Sequence, residues 1–147
     1  MNLLSIAHVP PVIVSPNQSV MEAIEVSLPQ RVGAVAVVDK GRLVGIFTER
    51  DVMAKVVRQR MDPDRTLVGD MMTRPVTTVK ADTSVGEVLQ MMLSRHIRHL
   101  PVSEDGVQVD GMLSIRNVLQ HMVEELQTDL HHMQAYLAGD MAAGRPM

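Results

Sequence analysis

Cysteine is absent from the 147 residues, tryptophan is absent too, and Phe47 and Tyr136 are the only phenylalanine and tyrosine. Without a thiol there is no disulfide, no thiolate metal site and no sulfur nucleophile, which suits a reducing cytoplasm. Without aromatics there is no platform on which nucleic-acid bases could stack. A net charge of −3, with no clustered basic face, argues the same way against a nucleic-acid partner. No apolar run approaches a membrane span. The opening stretch, residues 1–8, has no Lys or Arg before its apolar residues, unlike a secretory signal. These absences imply a cytoplasmic globular protein without nucleic-acid or membrane partners.

What is present is aliphatic. Hydrophobic residues make up 46% of the chain against 21% charged, enough for one domain with a substantial core. Thirteen methionines stand where aromatics would be expected, and the simplest reading is a methionine-packed core. The six histidines do not form a metal set. His131 and His132 point to different helix faces, and His8, His96 and His99 have no carboxylate at ligand spacing. An enzyme is not indicated either, because no activated nucleophile or paired-carboxylate motif stands out.

The chain repeats itself. Gly45-Ile46-Phe47-Thr48-Glu49-Arg50-Asp51-Val52 returns 66 positions on as Gly111-Met112-Leu113-Ser114-Ile115-Arg116-Asn117-Val118. A unit of this length seldom buries its apolar face alone, so two copies are expected to complete one core. Pro11–Val14 and Pro75–Val79 open the copies as β-branched strands. Ser19 and Ser84 each precede a helical pattern, with Glu22 and Glu87 placed to complete capping boxes. Ala34–Val38 and His99–Val102 form the second strands, turning at Asp39-Lys40-Gly41 and Glu104-Asp105-Gly106. Leu43–Phe47 and Val109–Leu113 form the third strands, and each runs into a helix. The pattern is β-α-β-β-α, twice. The last helix is expected to continue from Ile115 to about Leu137. Ile115, Leu119, Met122, Leu126, Leu130, Met133 and Leu137 form its apolar stripe, part of it facing another subunit.

Two such units, each with the Gly-h-h-(Thr/Ser)-x-x-(Asp/Asn) ending, resemble the tandem CBS-domain pair, or Bateman module. Asp70-Met71-Met72-Thr73-Arg74-Pro75-Val76 is similar to the family's entry into a second repeat. Ile97-Arg98-His99-Leu100-Pro101-Val102 is similar to its second-strand signature. The resemblance implies a stand-alone α/β module of two repeats about a pseudo-twofold, plus an extended C-terminal helix. Its expected divisions are 1–60 for the first repeat, 61–74 for a linker and 75–123 for the second repeat. A helical extension, 124–138, and a flexible tail, 139–147, follow.

The family resemblance further implies a homodimer that binds adenine nucleotides (AMP, ADP or ATP) between its repeats and signals to an effector protein. No obligatory cofactor is implied. Carried over, Asp51 and Thr48 face Thr77 or Thr78, while Asn117 and Ser114 face Ile13 or Val14. Arg98 and His99 are the candidates for phosphate contact, and Arg50 and Arg116 could add charge-assisted bonds. An acidic Asp51 suits a ribose diol, whereas Asn117 lacks the charge. Thr-x-x-Asp and Ser-x-x-Asn are also close to helix capping boxes, and that purely structural reading stays open. So does a ligand-independent scaffold that recruits partners through its last helix.

Overall fold

The computed structural model describes residues 1–142, and residues 143–147 lie outside it. A single 3-10 turn, Leu3–Ser5, precedes the first repeat. That repeat comprises β1 (Ile13–Val14), α1 (Val20–Ser27), β2 (Ala34–Asp39), β3 (Arg42–Thr48) and α2 (Glu49–Asp51). A π-helical turn, Val52–Val57, prolongs α2. The short α3 (Val68–Met71) leads into α4 (Val85–Arg95), β4 (His99–Val102), β5 (Gly111–Ser114) and α5 (Ile115–Ala142). Among the described residues no helix is long and apolar enough to cross a membrane.

Both serines cap their helices as expected, but neither glutamate closes a capping box, and Glu22 Oε2 instead accepts from Gln18 Nε2 at 3.3 Å. Ser19 Oγ accepts from Glu22 N at 3.0 Å and Ser84 Oγ from Glu87 N at 3.2 Å. Lys40 and Gly41, at φ 51° and 77°, make the tight turn between β2 and β3. The corresponding turn in the second copy is a longer loop, closed where Asp110 N donates to Val102 O at 2.8 Å. Inside it, Asp105 Oδ1 accepts from the Gln108 and Val107 amides, which hold its carboxyl below the usual range.

The expected strand Pro75–Val79 does not form; it is reduced to one parallel bridge between Val79 and Val102. The reason lies in β4. In the first sheet, ordered β1-β2-β3, Ala36 N donates to Val12 O at 2.9 Å and secures the opening strand. Pro101 stands at the equivalent place and has no N–H to donate. The second sheet is therefore two-stranded, β4-β5. α5 also outruns its expected end near Leu137 and takes in Gly139, where the tail was expected to begin. One glycine costs about 1 kcal/mol relative to alanine, and the flanking Ala138, Met141 and Ala142 are strong helix formers. The rest of that tail, 143–147, falls outside the described residues.

The repeats exchange their opening segments. Leu3, fully buried, sits in the second repeat's core with Val88, Leu100 and Leu113. Val68 instead joins Val20, Val35 and Phe47 in the first. His8 and Met112 exchange backbone hydrogen bonds of 2.9 and 3.1 Å, and Thr73 and Ile46 make the matching pair at 2.8 and 3.1 Å. These crossings explain why both octets begin with glycine. A Cβ on Gly45 would run into Met72, and one on Gly111 would lie 2.9 Å from Leu4 Cδ2. Ala34, Ala36, Ile46 and Met112 form a third cluster, which joins the repeats.

Candidate functional site

The octets end at two matching helix starts. Thr48 Oγ1 accepts from Asp51 N at 3.2 Å, while Asp51 Oδ2 accepts from Thr48 N at 3.0 Å. This closes a reciprocal capping box. Ser114 and Asn117 repeat the geometry, with Asn117 N to Ser114 Oγ at 3.1 Å and Ser114 N to Asn117 Oδ1 at 3.0 Å. The structural role of both pairs is thus realised in the fold.

The first half-site carries more. Asp51 is buried, and its Oδ1 accepts from Thr73 Oγ1 at 2.8 Å. Lys55 Nζ lies 3.1 Å from the same oxygen and also donates to Met71 O at 3.0 Å. Thr48 Oγ1 adds a fourth contact at 3.2 Å to Oδ2. A carboxylate offers about four lone-pair directions, and all are engaged. A ribose diol reaches Asp51 only by displacing Lys55 or Thr73. Because Thr73 belongs to the segment opening the second repeat, that displacement would loosen one repeat from the other. Sequence reasoning missed Lys55 and Thr73. Lys55 had a signal, since it stands one helical turn after Asp51. Thr73 had none, because its approach depends on the crossing at Ile46.

The other candidate residues are dispersed. Thr77 Oγ1 accepts from Arg95 Nη1 at 3.2 Å rather than meeting Thr48 or Asp51. Thr78 is half-buried and Ile13 is exposed on β1, whereas Val14 packs inside the first core, out of reach of a ligand. Arg50, Arg98 and Arg116 are exposed. Beside the cap, a 260 Å³ cleft is lined by Ile24, Leu28, Gly33, Phe47, Thr48 and Glu49, among others.

His99 stands at the seam. A Cβ added to Gly33 would lie 3.2 Å from Glu49 Oε1 and 3.3 Å from His99 Cε1. A side chain at Gly33, which aligns with Arg98 of the second repeat, would need the Glu49 or His99 side chain to give by a few tenths of an ångström. Burial lowers the His99 pKa from 6.5; Glu49 opposes that shift and Arg98 adds to it. At neutral pH the ring is uncharged and supplies no positive charge for phosphate. Its folded value is depressed, so below about pH 6.5 the unfolded chain binds the proton better and stability falls with falling pH. His99→Gln is expected to flatten that acid limb in urea titrations between pH 7.5 and 5, and an unchanged limb would refute the assignment.

Residues 5–58 and 68–124 each match the CBS domain. The chain belongs to the CBS-domain family. This CBS-domain pair is 36% identical over 128 residues to the mitochondrial CBS domain-containing protein CBSX3 of Arabidopsis thaliana, covering 84% of the chain and 62% of that protein. It is 32% identical over 127 residues to the uncharacterized protein MK0525 of Methanopyrus kandleri, covering 84% and 65%. The pair thus spans under two thirds of either relative. Among solved structures, the CBS-domain pair of protein MJ0100, in complex with 5′-methylthioadenosine and S-adenosyl-L-methionine, aligns with a TM-score of 0.76. The identity is 28%, over 85% of this chain and 98% of that one. CBS-domain modules form a regulatory, non-catalytic fold family.

Proposed function

We propose that this CBS-domain pair senses an adenosine-containing ligand, of the AMP, ADP or ATP class, between its repeats and signals to a separate effector protein as a cytoplasmic homodimer. The observation that carries the reading is the bond from Thr73 to Asp51, which ties the second repeat's opening segment to the first repeat's helix start. A ligand that takes the Asp51 carboxylate must displace Thr73 or Lys55, and displacing Thr73 breaks this bond. It thereby favours one arrangement of the repeats over another, which is what a regulatory ligand requires. The cleft beside the cap, with apolar walls at Ile24 and Phe47 and polar groups at Thr48 and Glu49, lies within the first repeat rather than between the two. The ligands named for the MJ0100 pair are both adenosine derivatives, which supports the ligand class.

Thermal-shift measurements with AMP, ADP, ATP, S-adenosylmethionine and methylthioadenosine test the reading. A ligand at a hundred times its Kd stabilises the folded state by about 2.7 kcal/mol. At least one of the five is expected to raise the melting temperature. A flat response to all five refutes it. The full engagement of Asp51 favours a second reading, a ligand-independent scaffold in which both octets serve as caps alone. The same flat response would support that one.

A further inference from the structure

The two octets lead into half-sites that share a backbone plan and differ in their side chains. A shift of 66 positions places Ser114 on Thr48, Asn117 on Asp51 and His121 on Lys55. His8 and Thr73 correspond as well, because each exchanges a pair of backbone bonds with a third strand, at Met112 and Ile46 respectively. In the first half-site Lys55 Nζ lies 3.1 Å from Asp51 Oδ1 and 3.0, 3.4 and 3.3 Å from Met71 O, Met72 O and Thr73 Oγ1. An ammonium has only three N–H groups, and these four oxygens engage them all. Nothing plays that part in the second half-site. Ser114 alone meets Asn117 Oδ1, through its N and Oγ at 3.0 and 2.8 Å. His121 turns along its own helix, its Nε2 buried 3.6 Å from Glu125 Oε1 and without a hydrogen bond. Among the described residues neither His8 nor His121 hydrogen-bonds to Asn117.

These differences change what a ligand meets. A hydroxyl that reaches Asp51 Oδ1 competes with Lys55 or Thr73 for that oxygen, and Lys55 bears on both, since it also lies beside Thr73 Oγ1. Asp51 is buried, which strengthens its pairing with the ammonium relative to one in water. Asn117 is neutral, so a ligand that reaches it separates no ion pair. The charge of Asp51 made the first half-site look the stronger of the two in the sequence. In the fold that charge is met from within the chain, and the neutral half-site is the more accessible one.

We propose that Lys55 is an internal competitor that keeps the first half-site closed, so that an adenosine-containing ligand enters the Ser114–Asn117 half-site first. The proposal rests on the preceding ligand reading and adds an order of filling to it. AMP and methylthioadenosine, each titrated into the isotope-labelled full chain and followed by NMR, test it. Amides of Ser114–His121 are expected to shift at lower ligand concentration than those of Thr48–Lys55. Lys55→Met is expected to lower the melting temperature, because it leaves Asp51 without a countercharge. It is nevertheless expected to tighten binding at Thr48–Lys55 by roughly tenfold, the effect of one charge-assisted hydrogen bond. A purely structural lysine would lose stability and affinity together, and that outcome overturns the competitor. If Lys55→Met does not fold, Asn117→Asp/His121→Lys transplants the ion pair and is expected to weaken the second half-site by a similar factor. Unchanged affinity there overturns the proposal. Shifts that begin at Thr48–Lys55 in the unaltered chain overturn the order of filling and leave the ligand reading standing. No shift with either compound refutes the ligand reading for both, and the order of filling falls with it.

Discussion

Asp51→Ala is expected to destabilise the protein by about 3 kcal/mol, the low end for breaking a buried ion pair. The low end applies because Lys55 keeps 37% of its side chain in solvent while Asp51 keeps 7%. The change leaves Lys55 without its countercharge, removes the acceptor of the Thr73 hydroxyl and opens the capping box. Asn117→Ala removes only the equivalent cap and is expected to cost about 1 kcal/mol. Urea unfolding of the two variants measures the contrast. Equal losses would mean that Lys55 and Thr73 contribute nothing to the Asp51 site. The difference bears on function, since a variant that loosens the repeats weakens ligand binding for structural reasons alone. Asp51→Asn is the better probe of affinity, because it keeps the shape and one acceptor oxygen.

Leu3→Ala is expected to cost about 2–5 kcal/mol, as for other buried leucines, and to act on the distant repeat. Leu3 is fully buried among Val88, Leu100 and Leu113, and its N–H donates to Ala81 O at 2.8 Å. Hydrogen exchange distinguishes this from a general loss. Amides of Val102 and Leu113 are expected to exchange faster, while those of Val35 and Val37 change less. Equal acceleration in both repeats would show that they open as one cooperative unit. Faster exchange confined to the first repeat would contradict the segment exchange itself.

Much of this molecule could be read before its structure was known. The displacement of Gly45–Val52 onto Gly111–Val118 implied two like units, and the serine caps, the turn at Gly41 and the β2 and β4 segments followed from local chemistry. Where the reading departed, a distant residue intervened. Pro75–Val79 has the composition of a strand, but a strand needs a partner with N–H groups to offer, and Pro101 lacks one. The site diverged for a similar reason. Asp51 and Asn117 differ by a charge in sequence, which suggested an open acidic site and a weaker neutral one. In the fold that acidic group is already met by Lys55 and Thr73.

The sequence by itself determined the duplicated unit, its family and the helix starts at Thr48 and Ser114. It also contained the apolar stripe of α5, at steps of three and four residues. All of these are encoded by residues close together in the chain, where spacing translates directly into geometry. Only the tertiary structure decided that Leu3 completes the second core, that Thr73 reaches Asp51, and that Gly33 lies against Glu49 and His99. Those outcomes depend on the opening segments crossing between repeats. Local periodicity cannot specify that crossing, because it arises from packing two incomplete cores against each other.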